Sequence, residues 1–150
     1  EDLNGNDVGR KLLILARELD LQNEFEDVKI KNLVPEEFRG GDAQTFISNL
    51  DKLDETYQKI KEQQKPNHVL RFIGDLSGDL QQDKGELEVS LVSVPDDSSL
   101  GQVKGADSIF EIYTESYGDR PIVIQGAGAG AAVTARGVFG DILKLSEKIA

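Results

Sequence analysis

The chain has 150 residues, with 28 Asp and Glu against 17 Lys and Arg and a net charge of −11, which is the size of one ordinary domain. No clustered Lys and Arg stripe offers itself to a nucleic acid, and no apolar run approaches the roughly 20 residues that a bilayer span needs. Cysteine is absent, which excludes a disulfide framework and thiolate metal sites and is compatible with a reducing compartment. Methionine is absent too, position 1 included, so the chain reads as opening inside a longer polypeptide.

Asn4-Gly5 is a turn signal. A helix is predicted from about Asp7 to Leu19, because Val8, Leu12, Leu15, Ala16 and Leu19 recur at the 3.6-residue period. Asn6 suits the N-cap, and Asp7 suits the positive end of the dipole. Gly9 is the weak point, costing about 1 kcal/mol against Ala in a helix interior. Val28 to Val34 reads as a strand ended by Pro35. Residues 42–64 read as one helix or two, with Phe46, Ile47, Leu50, Leu53, Tyr57 and Ile60 inward and the charges of 51–62 solvated.

From Val69 the period changes to two. Strands are predicted near 69–75, 86–94, 108–117 and 121–125, the second ended by Pro95. A Gly-rich turn then leads into a helix from about Gly130 to the end. These elements predict an α+β fold with a mixed, mainly antiparallel sheet and helices on one side.

Chemistry could sit in two places. On a helix, Asp7 and Lys11 are four residues apart and share a face beside the apolar stripe. A carboxylate there could bind a substrate amino group, and a lysine, whose pKa falls readily on desolvation, could donate a proton. An ordinary surface ion pair has the same spacing. The second place is Gly126-Ala127-Gly128-Ala129-Gly130-Ala131, between a strand and a helix. It matches GxGxxA, and a helix start offers free N–H groups to a phosphate. No further strand and acidic ribose ligand follow it, so it is not the first turn of a nucleotide-binding βαβ unit. On the residues alone, a tight strand-to-helix turn is the favoured reading, because a lone Gly-rich match is weak. His68, the only histidine, starts a strand and has neither a second His nor a Cys to share a metal with.

Taken together the two segments carry a resemblance. Glu1-Asp2-Leu3-Asn4-Gly5, with Asp7-Val8-Gly9-Arg10-Lys11 and the run through Glu18, resembles the homoserine dehydrogenase signature DDLxGxDVxRKxxILAR. Val123 to Asp141, through Gln125-Gly126-Ala127-Gly128-Ala129-Gly130, is similar to that family's C-terminal segment, nearest its fungal members. Val69-Leu70-Arg71-Phe72-Ile73-Gly74 matches a third stretch. Asn6 stands where the family usually has Met or Leu, Gly9 where it often has Ala, and Arg136 where Ala is common.

The resemblance implies an NAD(P)-dependent oxidoreductase that interconverts L-aspartate 4-semialdehyde and L-homoserine in the cytoplasm, on the route to threonine, methionine and isoleucine. Asp7 aligns with the residue that binds the substrate's homoserine end, and Lys11 with the proton donor and acceptor. Gly130 aligns with the glycine that touches the cofactor, in a cofactor-binding turn that Gly128 and Gly126 shape. Residues 1–150 would be the C-terminal part of a catalytic and dimerisation domain. The last helix, about 130–148, would pack on a nucleotide-binding domain. That domain, a second catalytic lysine, a substrate-binding glutamate and a sodium site would lie upstream, leaving this chain inactive alone. A homodimer built through the sheet is expected. A non-catalytic α+β dimerisation or small-molecule-sensing module is the other reading; it places Asp7 and Lys11 on open surface and packs the Gly turn shut.

Overall fold

A computed structural model describes residues 2–79 and 81–149. The chain divides into two compact units, Glu1–Pro95 and Asp96–Ala150.

In the first unit, helix α1 spans Asn6–Glu18. Its cap is Gly5, not Asn6: Gly5 takes the left-handed conformation, φ 79, and contributes no side-chain bond. Asn4 supplies one instead, its Oδ1 accepting the Asn6 N–H at 2.9 Å. The helix ends in a Schellman motif. Asp20 has φ 62, its N–H reaches Arg17 O at 3.0 Å, and the Leu21 N–H reaches Ala16 O at 3.0 Å. Leu21 is thereby turned into the core.

Strand β1 (Val28–Ile30) is shorter than the predicted 28–34. After Lys31, whose N–H still reaches Val89 O, Asn32 bonds the Val34 N–H with its own Oδ1 at 2.7 Å. That local turn competes with the ladder and ends it. Two helices follow, α2 (Ala43–Ser48) and α3 (Asp51–Glu62). Asp42 caps α2 by accepting the Thr45 N–H at 2.7 Å. Leu53 is buried, whereas Ile47 and Leu50, predicted inward, are exposed.

Strands β2 (His68–Ser77) and β3 (Glu86–Pro95) pair antiparallel, Phe72 opposite Leu91 and Gly74 opposite Val89. β1 joins β3 in parallel, Val28 opposite Leu87, so β3 is the central strand of a mixed sheet. One face of the sheet receives α1. Leu12, Ala16, Leu21, Val28, Leu87 and Val89 form the core there, with Val8, Phe25, Ile30, Phe72 and Leu76 packed around them. Leu15 and Leu19 lie outside this contact; the buried stripe of α1 is Gly9, Leu12 and Ala16.

The second unit holds β4 (Asp107–Ile112), β5 (Ile122–Ala127) and α4 (Ala131–Ile149). β4 and β5 form an antiparallel pair of their own, so the strands make two sheets instead of one. β4 stops five residues short of Tyr117. The chain must reverse before β5, and Thr114 O gathers the N–H groups of Tyr117 and Gly118 in that turn. The mixed and antiparallel α+β architecture stands as predicted.

Candidate active site

Asp7 and Lys11 project from the first turns of α1. Lys11 Nζ lies 2.8 Å from Asp7 Oδ2, with the side chains 71% and 43% exposed for lysine and aspartate. The hydrogen bond from Lys11 is the main reason that the Asp7 carboxyl is held below its usual range. The positive charges of Lys11 and Arg10 add to it, and partial desolvation opposes it. Asp7 is therefore held as a carboxylate that accepts from Lys11. On geometry alone it is also an exposed i,i+4 ion pair of the kind common on helix surfaces. What distinguishes it is the seat beneath it. Gly5 and Gly9 come down on Ile30, and Gly74 of β2 lies against Val8 and Leu12. In the sequence, Asn4-Gly5 reads only as a turn and Gly74 only as the end of a strand, with no role at the site for Asn4 or Gly74. A glycine inside a strand pattern is a signal of close backbone approach, and Gly74 carried that signal.

The Gly-rich turn belongs to the second unit. Gly126 is the penultimate residue of β5, opposite Ser108. Gly128 folds back on the start of β4: its N–H donates to Ala106 O at 3.0 Å, and a Cβ there would collide with the Ser108 side chain. Gly130 has φ 128, and its carbonyl accepts the Thr134 N–H at 3.0 Å, so it is the boundary residue of α4. A Cβ at Gly126 or Gly130 would meet nothing within 4 Å. Two of the three glycines thus leave backbone open to an incoming group, next to first-turn amides that have no intrahelical partner. A nicotinamide cofactor fits such a turn at Gly126 and Gly130, while the bare Cα of Gly128 faces Ser108.

His68 Nδ1 lies 3.0 Å from Pro66 O at the start of β2. Among the described residues no group of three or more His, Cys, Asp or Glu could hold a metal ion, and no helix is long and apolar enough to cross a membrane.

The chain is an α+β protein with an exposed Asp–Lys pair on a helix seated on a mixed sheet and, in its second unit, a strand–Gly turn–helix. Residues 1–143 match the family model described as homoserine dehydrogenase. The chain is 38% identical to the homoserine dehydrogenase of Paracoccidioides brasiliensis, over 99% of this chain and 40% of that protein. It is 40% identical to that of Emericella nidulans, over 99% and 41%. With the bifunctional aspartokinase/homoserine dehydrogenase of Haemophilus influenzae it shares 38% identity over 96% of this chain and 17% of that one. A crystal structure of a Candida auris protein described as of unknown function superposes with a TM-score of 0.77 at 36% identity, covering 99% and 41% of the two chains. The chain belongs to the homoserine dehydrogenase family. It spans about two fifths of the length of its fungal relatives and about a sixth of the bifunctional one.

Proposed function

We propose that this chain works within an enzyme that interconverts L-aspartate 4-semialdehyde and L-homoserine with NAD(P), on the route to threonine, methionine and isoleucine. The observation that carries the reading is the Asp7–Lys11 pair, in contact at 2.8 Å inside the Asp7-Val8-Gly9-Arg10-Lys11 motif. When bound, the reduced nicotinamide supplies a hydride to the aldehyde carbon. Negative charge then gathers on the aldehyde oxygen, and an ammonium within about 3 Å stabilises it. Lys11 Nζ gives that oxygen its proton and is left as a neutral amine; in the opposite direction the amine takes the proton back. Asp7 accepts hydrogen bonds from the substrate's ammonium or hydroxyl and keeps it in register. Gly130 and Gly126 hold the cofactor through backbone, with Gly128 setting the turn.

Residues 1–150 form the C-terminal part of the catalytic and dimerisation region. The exposed Val138, Ile142, Leu145 and Ile149 support docking of α4 on a nucleotide-binding domain. The exposed face Phe110, Ile112, Ile122 and Ile124 supports a homodimer formed through β4 and β5. The family's sodium site is assigned outside this chain, and a cysteine-free composition suits a cytoplasmic setting.

Steady-state kinetics of the complete protein tests the reading. Lys11→Ala should lower kcat by about 10²–10⁴-fold, the usual worth of a positioned acid, with little change in cofactor KM. Asp7→Ala should raise the amino-acid KM as well, because its partner is present in ground and transition states alike. Retention of more than about a third of wild-type turnover in Lys11→Ala, far above the expectation for a positioned acid, overturns the reading and leaves a solvated ion pair.

A further inference from the structure

We infer that Gly74 is a positioning residue for Asp7 and Lys11: its missing side chain lets α1 settle on the sheet at the depth the reaction requires. This rests on the acid–base reading above. Gly74 sits within β2, opposite Val89 of the central strand. A Cβ built there would stand 2.8 Å from Leu12 Cγ, 2.9 Å from Leu12 Cδ1 and 3.0 Å from Val8 Cγ1. Carbon atoms pack at about 3.5–4.0 Å, so an added methyl would have to move these atoms by about 0.5–1 Å.

The side chains are poorly placed to absorb that movement. Leu12 is buried among Ala16, Leu87 and Val89, and Val8 is branched at Cβ and stiff about χ1. The displacement falls on the helix. Val8 and Leu12 are also the immediate neighbours of Asp7 and Lys11, so lifting the first two moves the second two. The rest of the seat keeps the helix from simply translating. Gly5, at φ 79, would place a Cβ 2.7 Å from Ile30 Cγ2, and Gly9 would place one 3.1 Å from Ile30 Cδ1. With the helix held over Ile30, a methyl at position 74 tilts it. A misplacement of about 1 Å in reacting groups is enough to lower a rate about 10²-fold.

The test compares Gly74→Ala, Leu12→Ala, the double variant and Lys11→Ala in the complete protein, by kcat, cofactor KM and Tm. Gly74→Ala should lower kcat by about 10–100-fold and leave cofactor KM unchanged. Leu12→Ala should lower Tm but keep most of kcat. The double variant, in which the two closer Leu12 contacts are gone and only the Val8 contact remains, should regain most of the lost kcat while its Tm stays low. A merely structural glycine would make kcat follow Tm through the whole set. If Gly74→Ala does not fold, the same substitution in a Val8→Ala background, where only the Leu12 clash remains, takes its place with the same expected fall and reversal. A normal kcat in Gly74→Ala alongside a collapsed Lys11→Ala overturns the seat alone. A normal Lys11→Ala overturns the acid–base reading, and the seat with it.

Discussion

Asn23 is a polar residue almost wholly out of solvent, and its amide acts as one rung of backbone. Nδ2 donates to Gly85 O at 3.0 Å, and the Gly85 N–H donates to Oδ1 at 2.9 Å. Truncation removes both bonds and orphans two backbone groups, so Asn23→Ala should lower stability by about 2–4 kcal/mol. Denaturant titration measures this, and a loss under about 1 kcal/mol would mean that water fills the gap. Asp7 offers a second check at this scale. Its folded pKa is below the usual 3.8, so its contribution to stability is complete above that value and is lost as pH falls through the lowered one. Lys11→Ala removes the principal cause, and the Asp7 carboxyl should then titrate closer to 3.8 in an NMR pH series. An unmoved titration would show that Lys11 does not hold the carboxylate in solution.

At the scale of elements, Gly9 poses a contest between propensity and packing. Alanine gains about 1 kcal/mol in a helix interior. Against that, its Cβ would lie 3.1 Å from Ile30 Cδ1 and 3.2 Å from Phe25 Cε2. Both atoms are side-chain ends that can yield by a few tenths of an ångström. Gly9→Ala should therefore be neutral or stabilising by up to about 1 kcal/mol, whereas Gly9→Val should destabilise. A marked fall in Tm for the alanine variant would show the contact to be rigid. Much of the element plan was legible because period alone reports it: α1, β2 and β3 lie within a few residues of their predicted bounds. What was not legible depended on partners. Leu15 and Leu19 share the helical period with Leu12, yet the sheet is offset towards Gly9, and only the contact surface decides which residues are buried. Tyr113 to Tyr117 continue the strand alternation, but the turn into β5 claims them. The Asp7–Lys11 spacing was visible in the sequence, and its glycine seat was not, since Gly5, Gly9 and Gly74 meet the helix–sheet interface only in three dimensions.

At the scale of the whole molecule, the buried hydrophobic side chains all lie in the first unit among the described residues. The second unit leaves Phe110, Ile112, Ile122 and Ile124 exposed along one face of its strand pair. Contiguous apolar surface of that kind marks an interaction site. The complete protein should run as a dimer in light scattering at micromolar concentration, and Ile124→Lys should shift it towards the monomer with the first unit still folded. A wild-type monomer would refute the dimer and leave α4 or another segment to cover that face.

The Asn23–Gly85 bracket also has a kinetic side. It joins residues 62 apart, and closing a loop of that length takes about 3.7 kcal/mol of chain entropy, before any constant term. The bracket returns about 2 kcal/mol, so it cannot start folding. The 78–85 connection between β2 and β3 is far shorter, at about 1.8 kcal/mol on the same scale, and brings a full ladder with it. The β2–β3 hairpin should thus form first, with α1, the 20s loop and β1 arriving on it afterwards. In stopped-flow experiments Asn23→Ala should speed unfolding and leave the folding rate almost unchanged, the behaviour of a contact made after the rate-limiting barrier. This bracket would then act as a latch, setting how long the first unit stays closed once it has formed.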